Sequence, residues 1–105
     1  MKSDAAVNSL AALAQPSRLA NFRLLVRAGL TGLYAGRIGE ALGLPPATLS
    51  FHFKALSHAG LIASHQEERN VLYRVQFPPM KELIDFLMEH CCQGDAKGRV
   101  APGVV

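Results

Sequence analysis

The chain has 105 residues, half of them apolar and 18% charged, enough for one modest core and too few for two. Its longest apolar runs fall well short of the roughly 20 residues that cross a bilayer, so a membrane protein is excluded and a globular one expected. The formal net charge of +3 is a mild basic excess that favours an anionic partner.

Lys2 stands ahead of an Ala/Leu-rich run, but Asp4 and Asn8 interrupt that run and no clean signal cleavage site follows. The expected location is the cytoplasm. Cys91 and Cys92 are the only cysteines, and in a reducing compartment two thiols are expected to do chemistry rather than form a structural disulfide.

Asp4 is placed to cap a first helix, in which Val7, Leu10, Ala11 and Ala14 form one apolar stripe ending near Gln15. Pro16 opens a second, "PSRLANFRLLVRAG", with Leu19, Phe22, Leu25 and Val26 inward, Arg18, Arg23 and Arg27 outward, and Gly29 as its stop. After the loop "LTGLY", the segment "AGRIGEALG" predicts a short helix with Ile38, Ala41 and Leu42 on one side, ending at Gly43. "PPATLSFHFKALSHAG" predicts another, opened by prolines and closed at Gly60, with Leu49, Phe53 and Leu56 at i, i+4 and i+7. Two helices so joined make a helix-turn-helix.

Period-two alternation through "LIASHQEERNVLYRVQF" then predicts a hairpin with a charged tip. Pro78 and Pro79 open a last helix whose apolar positions are Met80, Leu83, Ile84, Leu87 and Met88, and whose next steps fall on Cys91 and Cys92. Residues 94–105 lack periodicity and are expected to form a mobile tail. The reading is one domain over 1–93, mainly α with a two-stranded β wing, which is a winged helix-turn-helix.

The second helix of such a pair works in the major groove, its first turns reaching base edges and phosphates. With Leu49, Phe53 and Leu56 inward, Ala47, Thr48, Ser50, Phe51 and Lys54 face out or flank. Thr48 and Ser50 carry hydroxyls for phosphate or base, and Lys54 neutralises a phosphate. Two roles fit Phe51: contact with a thymine methyl, or cover for its own helix pair. His52 reads as a packed structural residue. At the wing, Arg69 and Asn70 occupy the tip and Arg74 points toward the DNA backbone; Glu67 and Glu68 beside Arg69 fit a merely solvated hairpin instead. No CxxC motif, phosphate loop or base paired with a nucleophile is visible, so no enzyme is expected.

"LPPATLSFHFKALSHAGLI", followed by the acidic-basic wing tip and "LYRV", resembles the ArsR/SmtB family of bacterial metal-responsive repressors from about Pro16 to Cys92. The resemblance implies a symmetric homodimer built on the first and last helices, whose apolar stripes exceed what one small core covers. Its partner is double-stranded operator DNA with half-sites about 34–36 Å apart or a multiple of that, bound without any cofactor.

Cys91 extends the apolar stripe and packing alone would explain it; Cys92 is harder to place that way. A disulfide between neighbours strains the intervening peptide. Two thiolates on a short segment instead suit a soft, thiophilic centre. Neighbours on a regular helix diverge by about 100°, so both sulfurs reach one atom only if the last turn frays, and the negative helix end raises a thiol pKa there.

Within the resemblance, zinc sensors spread Asp, His and Glu ligands along the last helix, where this chain has only Asp85 and His90 at the wrong spacing. The Cys-Val-Cys site of better-known arsenic sensors is missing from "LYAGRIGEALG". Other arsenic-responsive members carry a vicinal pair at the end of the last helix, similar to "FLMEHCC", often with a third cysteine that this chain lacks. That implies trivalent arsenic as effector on Cys91 and Cys92, with a methyl group, hydroxide, small thiol or His90 completing it. Such a site favours methylarsenite or aryl arsenicals, or weaker arsenite binding, and leaves antimonite open. The rival is a thiol-based redox or reactive-sulfur sensor of the same fold, whose known members keep their two cysteines on separate helices.

Overall fold

The computed structural model describes residues 1–93; the expected tail at 94–105 lies outside the described residues. The elements run α1 (Ser3–Leu13), α2 (Pro16–Ala28), β1 (Leu33–Tyr34), α3 (Ala35–Leu42), α4 (Pro46–His58), β2 (Ile62–Glu67), β3 (Asn70–Val75) and α5 (Phe77–Met88). Helices α3 and α4 form the helix-turn-helix and β2–β3 the wing.

Lys2, not Asp4, holds the cap position of α1, with no side-chain cap bond. Asp4 sits inside the first turn, where its charge still meets the positive helix end. The buried face is Ala6, Ser9 and Ala12, because small side chains let α1 lie close to α2. The bulkier stripe points away, leaving Val7 59% and Leu10 42% exposed. The helix stops at Leu13 because Gln15 serves α2: its Oε1 accepts from the Arg18 N–H at 2.7 Å, and Pro16 begins the helix.

In α2, Phe22 and Leu25 are buried as expected, but Leu19 is exposed and Asn21 takes the buried place, with 0% of its surface accessible. Both Asn21 side-chain polar atoms lack a hydrogen-bond partner among the described residues, an arrangement that costs about 1–3 kcal/mol per buried polar group. Arg18, expected outside, is part-buried and donates Nε–H to the Ala12 carbonyl at 2.7 Å, clamping α2 to the end of α1.

The segment read as the loop "LTGLY" holds a 3₁₀ turn, Gly29–Thr31, and the two-residue strand β1. β1 pairs antiparallel with β3, giving a three-stranded sheet of order β1-β3-β2 in which the predicted two-stranded wing is the larger part. Gly32 makes the turn at φ 70°, and a Cβ there would stand 2.4 Å from both Arg74 Cγ and the Tyr73 carbonyl oxygen, so only glycine fits.

Ile38 of α3, Leu49, Phe53 and Leu56 of α4, and Leu61, Ile62 and Val75 at the base of the wing close the core over Phe22 and Leu25. Ala41 is exposed rather than inward. Gly43 ends α3 in the left-handed conformation, and α4 starts at Pro46 after a three-residue turn. The wing turns at Glu68–Arg69, with Glu67 opposite Asn70, and Tyr73 stacks on Phe53 with ring centroids 3.8 Å apart. In α5 Leu83 is buried while Ile84, Leu87 and Met88 are exposed; α5 contacts α1.

Candidate nucleic-acid interface and thiol pair

On α4 the inward set is Leu49, His52, Phe53 and Leu56. The opposite side presents Ala47, Thr48, Ser50, Phe51 and Lys54, all exposed. Phe51 is 64% exposed, meets the His52 ring edge-on at 5.8 Å, and lines a groove of about 940 Å³ between α4 and α1 with Lys54, His58 and Asn8. His52 is buried beneath this surface, its Nδ1 without a hydrogen-bond partner among the described residues. Burial, then the charge of Arg18, hold its pKa below the usual imidazole value.

Arg69 stands exposed in the wing turn and Asn70 exposed as the first residue of β3. Arg74 is also exposed, although its stem lies against Gly32. Tyr34, just ahead of α3, donates its hydroxyl to Glu67 Oε2 at 2.6 Å. That hydrogen bond and the Glu67 charge raise the Tyr34 pKa, and the bond ties the wing to the entry of the helix-turn-helix. Tyr34 went unnoticed in the sequence because nothing local marks a partner 33 residues away.

The thiols lie beyond the last helix, not on its final turn. Helix α5 ends at Met88, and Glu89 leaves it with ψ 134°. His90 and Cys92 take positive φ of 59° and 69°, a left-handed conformation costing roughly 1–2 kcal/mol per non-glycine residue. Cys91 N–H donates to the Met88 carbonyl at 3.0 Å and Gln93 N–H to that of His90 at 3.3 Å. This turn cancels the divergence that a helix imposes on neighbours: the Sγ atoms are 2.9 Å apart, one thiol donating to the other. Both cysteines are free and exposed, which removes the packing role considered for Cys91. The Cys92 thiol, by hydrogen bond and then by charge, raises the Cys91 pKa. His90 Nε2 lies 3.1 Å from Glu89 Oε1. Among the described residues no group of three histidine, cysteine or carboxylate side chains gathers as a metal site, and no helix is long and apolar enough to cross a membrane.

With this geometry in place, the helix-turn-helix domain family matches residues 13–65, just over half of the chain. The chain belongs to the helix-turn-helix domain family. The matched span covers the second helix, the helix-turn-helix and most of β2. An uncharacterized HTH-type transcriptional regulator of Bacillus subtilis (strain 168), YceK, is 41% identical over 58 residues, 55% of this chain and 57% of that protein. The match thus spans little more than half of that relative's length. Reduced HlyU from Vibrio cholerae N16961 superposes with a TM-score of 0.68 at 30% identity, covering 87% of this chain and 93% of that one. The homodimeric winged helix-turn-helix DNA-binding domain (fragment 1–100) of a possible ArsR-family regulator from Mycobacterium bovis has a TM-score of 0.67 at 23% identity, covering 84% and 86%. The fold of this helix-turn-helix protein is thus the winged helix-turn-helix that the Mycobacterium bovis domain also has.

Proposed function

We propose that the protein is a transcriptional repressor that binds operator DNA as an apo homodimer and is released when trivalent arsenic binds Cys91 and Cys92. The observation that carries the effector half is the pair of exposed sulfurs 2.9 Å apart on a turn outside the helix. Two sulfurs so close close a chelate ring on one thiophilic atom with little further ordering of the chain. They lose their protons to the bound centre, so a raised thiol pKa slows binding at low pH without preventing it.

DNA binding is supported by the exposed row Ala47, Thr48, Ser50, Phe51 and Lys54, with Arg69, Asn70 and Arg74 on the wing. The dimer is supported by exposed Val7 and Leu10 on α1 and exposed Ile84, Leu87 and Met88 on α5, two helices in contact, and by the homodimeric Mycobacterium bovis neighbour. The effector turn follows α5 directly, so a centre held there alters the edge of the dimer face and the spacing of the two recognition helices. A coupling of about 1–3 kcal/mol lowers operator affinity roughly 5- to 150-fold. With two protein sulfurs as donors, methylarsenite is the preferred form, arsenite and antimonite the weaker ones.

The second reading, a thiol-redox or reactive-sulfur repressor, is favoured by one finding: the 30% identical HlyU neighbour is described in its reduced form. Fluorescence anisotropy on the duplex upstream of the gene, titrated with arsenite and methylarsenite, separates the two. Release of wild type but not of Cys91→Ser/Cys92→Ser supports the arsenic reading. If arsenicals release neither protein while hydrogen peroxide or a polysulfide releases wild type, the second reading replaces it.

A further inference from the structure

A cleft of about 670 Å³ lies between α3, the start of α4 and strand β3, apart from both the thiol pair and the dimer face. We propose that it is a binding site for a planar organic cation, with Glu40 as counter-ion. Its volume falls in the range of roughly 300–1,000 Å³ typical of small-molecule sites, and its lining follows the same pattern of apolar walls with few polar groups. Pro46, Leu49 and Val71 supply aliphatic wall, and Phe53 with Tyr73 a stacked aromatic one, 19° from coplanar. With Phe53 buried, the half-buried Tyr73 ring is the aromatic surface that a flat ligand meets.

Gly36, one lining position of the cleft, has no side chain. Gly36 lies in the first turn of α3 without a positive φ, and no heavy atom comes within 4 Å of where its Cβ would stand. Neither conformation nor crowding calls for glycine there, in a helix that glycine weakens. The absent side chain leaves space open to a ligand.

Charge selects the ligand's sign. Glu40 is the one ionised side chain lining the cleft, and it makes no ion pair among the described residues. In a chain of net charge +3, this spot repels phosphate and attracts a cation, while the aromatic wall adds a cation–π contact. Ser50, on the same rim, supplies a hydroxyl. Because Ser50 also belongs to the proposed DNA face, an occupied cleft competes with DNA; that consequence alone rests on the repressor reading.

The test uses the full chain without DNA, so it fails separately from that reading. Berberine, a planar cation whose fluorescence rises in apolar surroundings, is titrated against wild type, Glu40→Gln and Gly36→Leu, with the anionic dye 8-anilinonaphthalene-1-sulfonate as counter-probe. The expected result is saturable binding of one berberine per protomer, about threefold weaker in Glu40→Gln, the size of one exposed charge contact that involves no hydrogen bond. Gly36→Leu adds a bulky side chain to the cleft lining and weakens binding, while its thermal midpoint stays at or above that of wild type. Equal berberine affinity in wild type and Glu40→Gln, absence of saturable binding, or tighter binding of the anionic dye overturns the proposal.

Discussion

Truncating Leu87 to alanine isolates the proposed dimer face from the fold. Leu87 is 58% exposed on one protomer, so most of its apolar surface has nothing to leave unless a second chain covers it. Burying a whole leucine side chain is worth about 1.5–3 kcal/mol; the exposed share is then about 1–1.7 kcal/mol. Two-fold symmetry counts it twice, about 2–3.5 kcal/mol, or a dimer dissociation constant raised roughly 20- to 400-fold. Leu83, buried on the same helix, is the contrast: Leu83→Ala removes about 2–5 kcal/mol from folding itself. Sedimentation equilibrium gives the dissociation constants and urea denaturation at low protein concentration gives protomer stability. A Leu87→Ala dimer within twofold of wild type would refute the reasoning, as would a loss of protomer stability equal to that of Leu83→Ala.

Lowering the pH should destabilise the fold through His52: its folded pKa lies below the unfolded value, so the unfolded chain binds the proton first. Stability is then full above about pH 6.5 and declines below it, by at most about 1.4 kcal/mol per pH unit until the folded pKa is passed; urea midpoints between pH 7.5 and 5 should flatten in His52→Gln. Gly32→Ala combines a φ of 70° with a 2.4 Å approach to the Tyr73 carbonyl, and a cost above about 2 kcal/mol is expected in thermal unfolding. Lys54→Ala should weaken DNA binding about equally across sequences and reduce the slope of log affinity against log salt by about 1.

The parts legible in the sequence are those written in a repeating period. Leu49, Phe53 and Leu56 predicted the inner face of α4, and alternation predicted the β2–β3 hairpin. Strand β1 escaped because two residues cannot display a period. In α2 hydropathy alone sends Leu19 inward, whereas close helix approach puts Asn21 there beside Phe22 and Leu25; in α1 the stripe of Val7 and Leu10 lies outside the core, and the small residues Ala6 and Ser9 that pack instead show no hydropathy signal. The cysteines continued the α5 period on paper, but Glu89 breaks the helix before them, and only the positive φ values of His90 and Cys92 bring the sulfurs together. The Tyr34–Glu67 bond, joining segments far apart in the chain, needs the assembled sheet to exist at all.

Only Ala14 and Gln15 separate α1 from α2, and neither is slack. Gln15 spends its side chain on Arg18 N–H, and Arg18 reaches back to the Ala12 carbonyl. The joint therefore behaves as a welded corner rather than a hinge. In the proposed dimer, where α1 meets the other copy, any rotation at that seam is carried through α2 into the reading helix packed on it. Over the 13 residues of α4, about 20 Å long, each 5° of tilt moves the far end by about 2 Å. Breaking the corner with Arg18→Ala should leave both partners able to pair and to touch DNA, while loosening the mechanical link between the two acts.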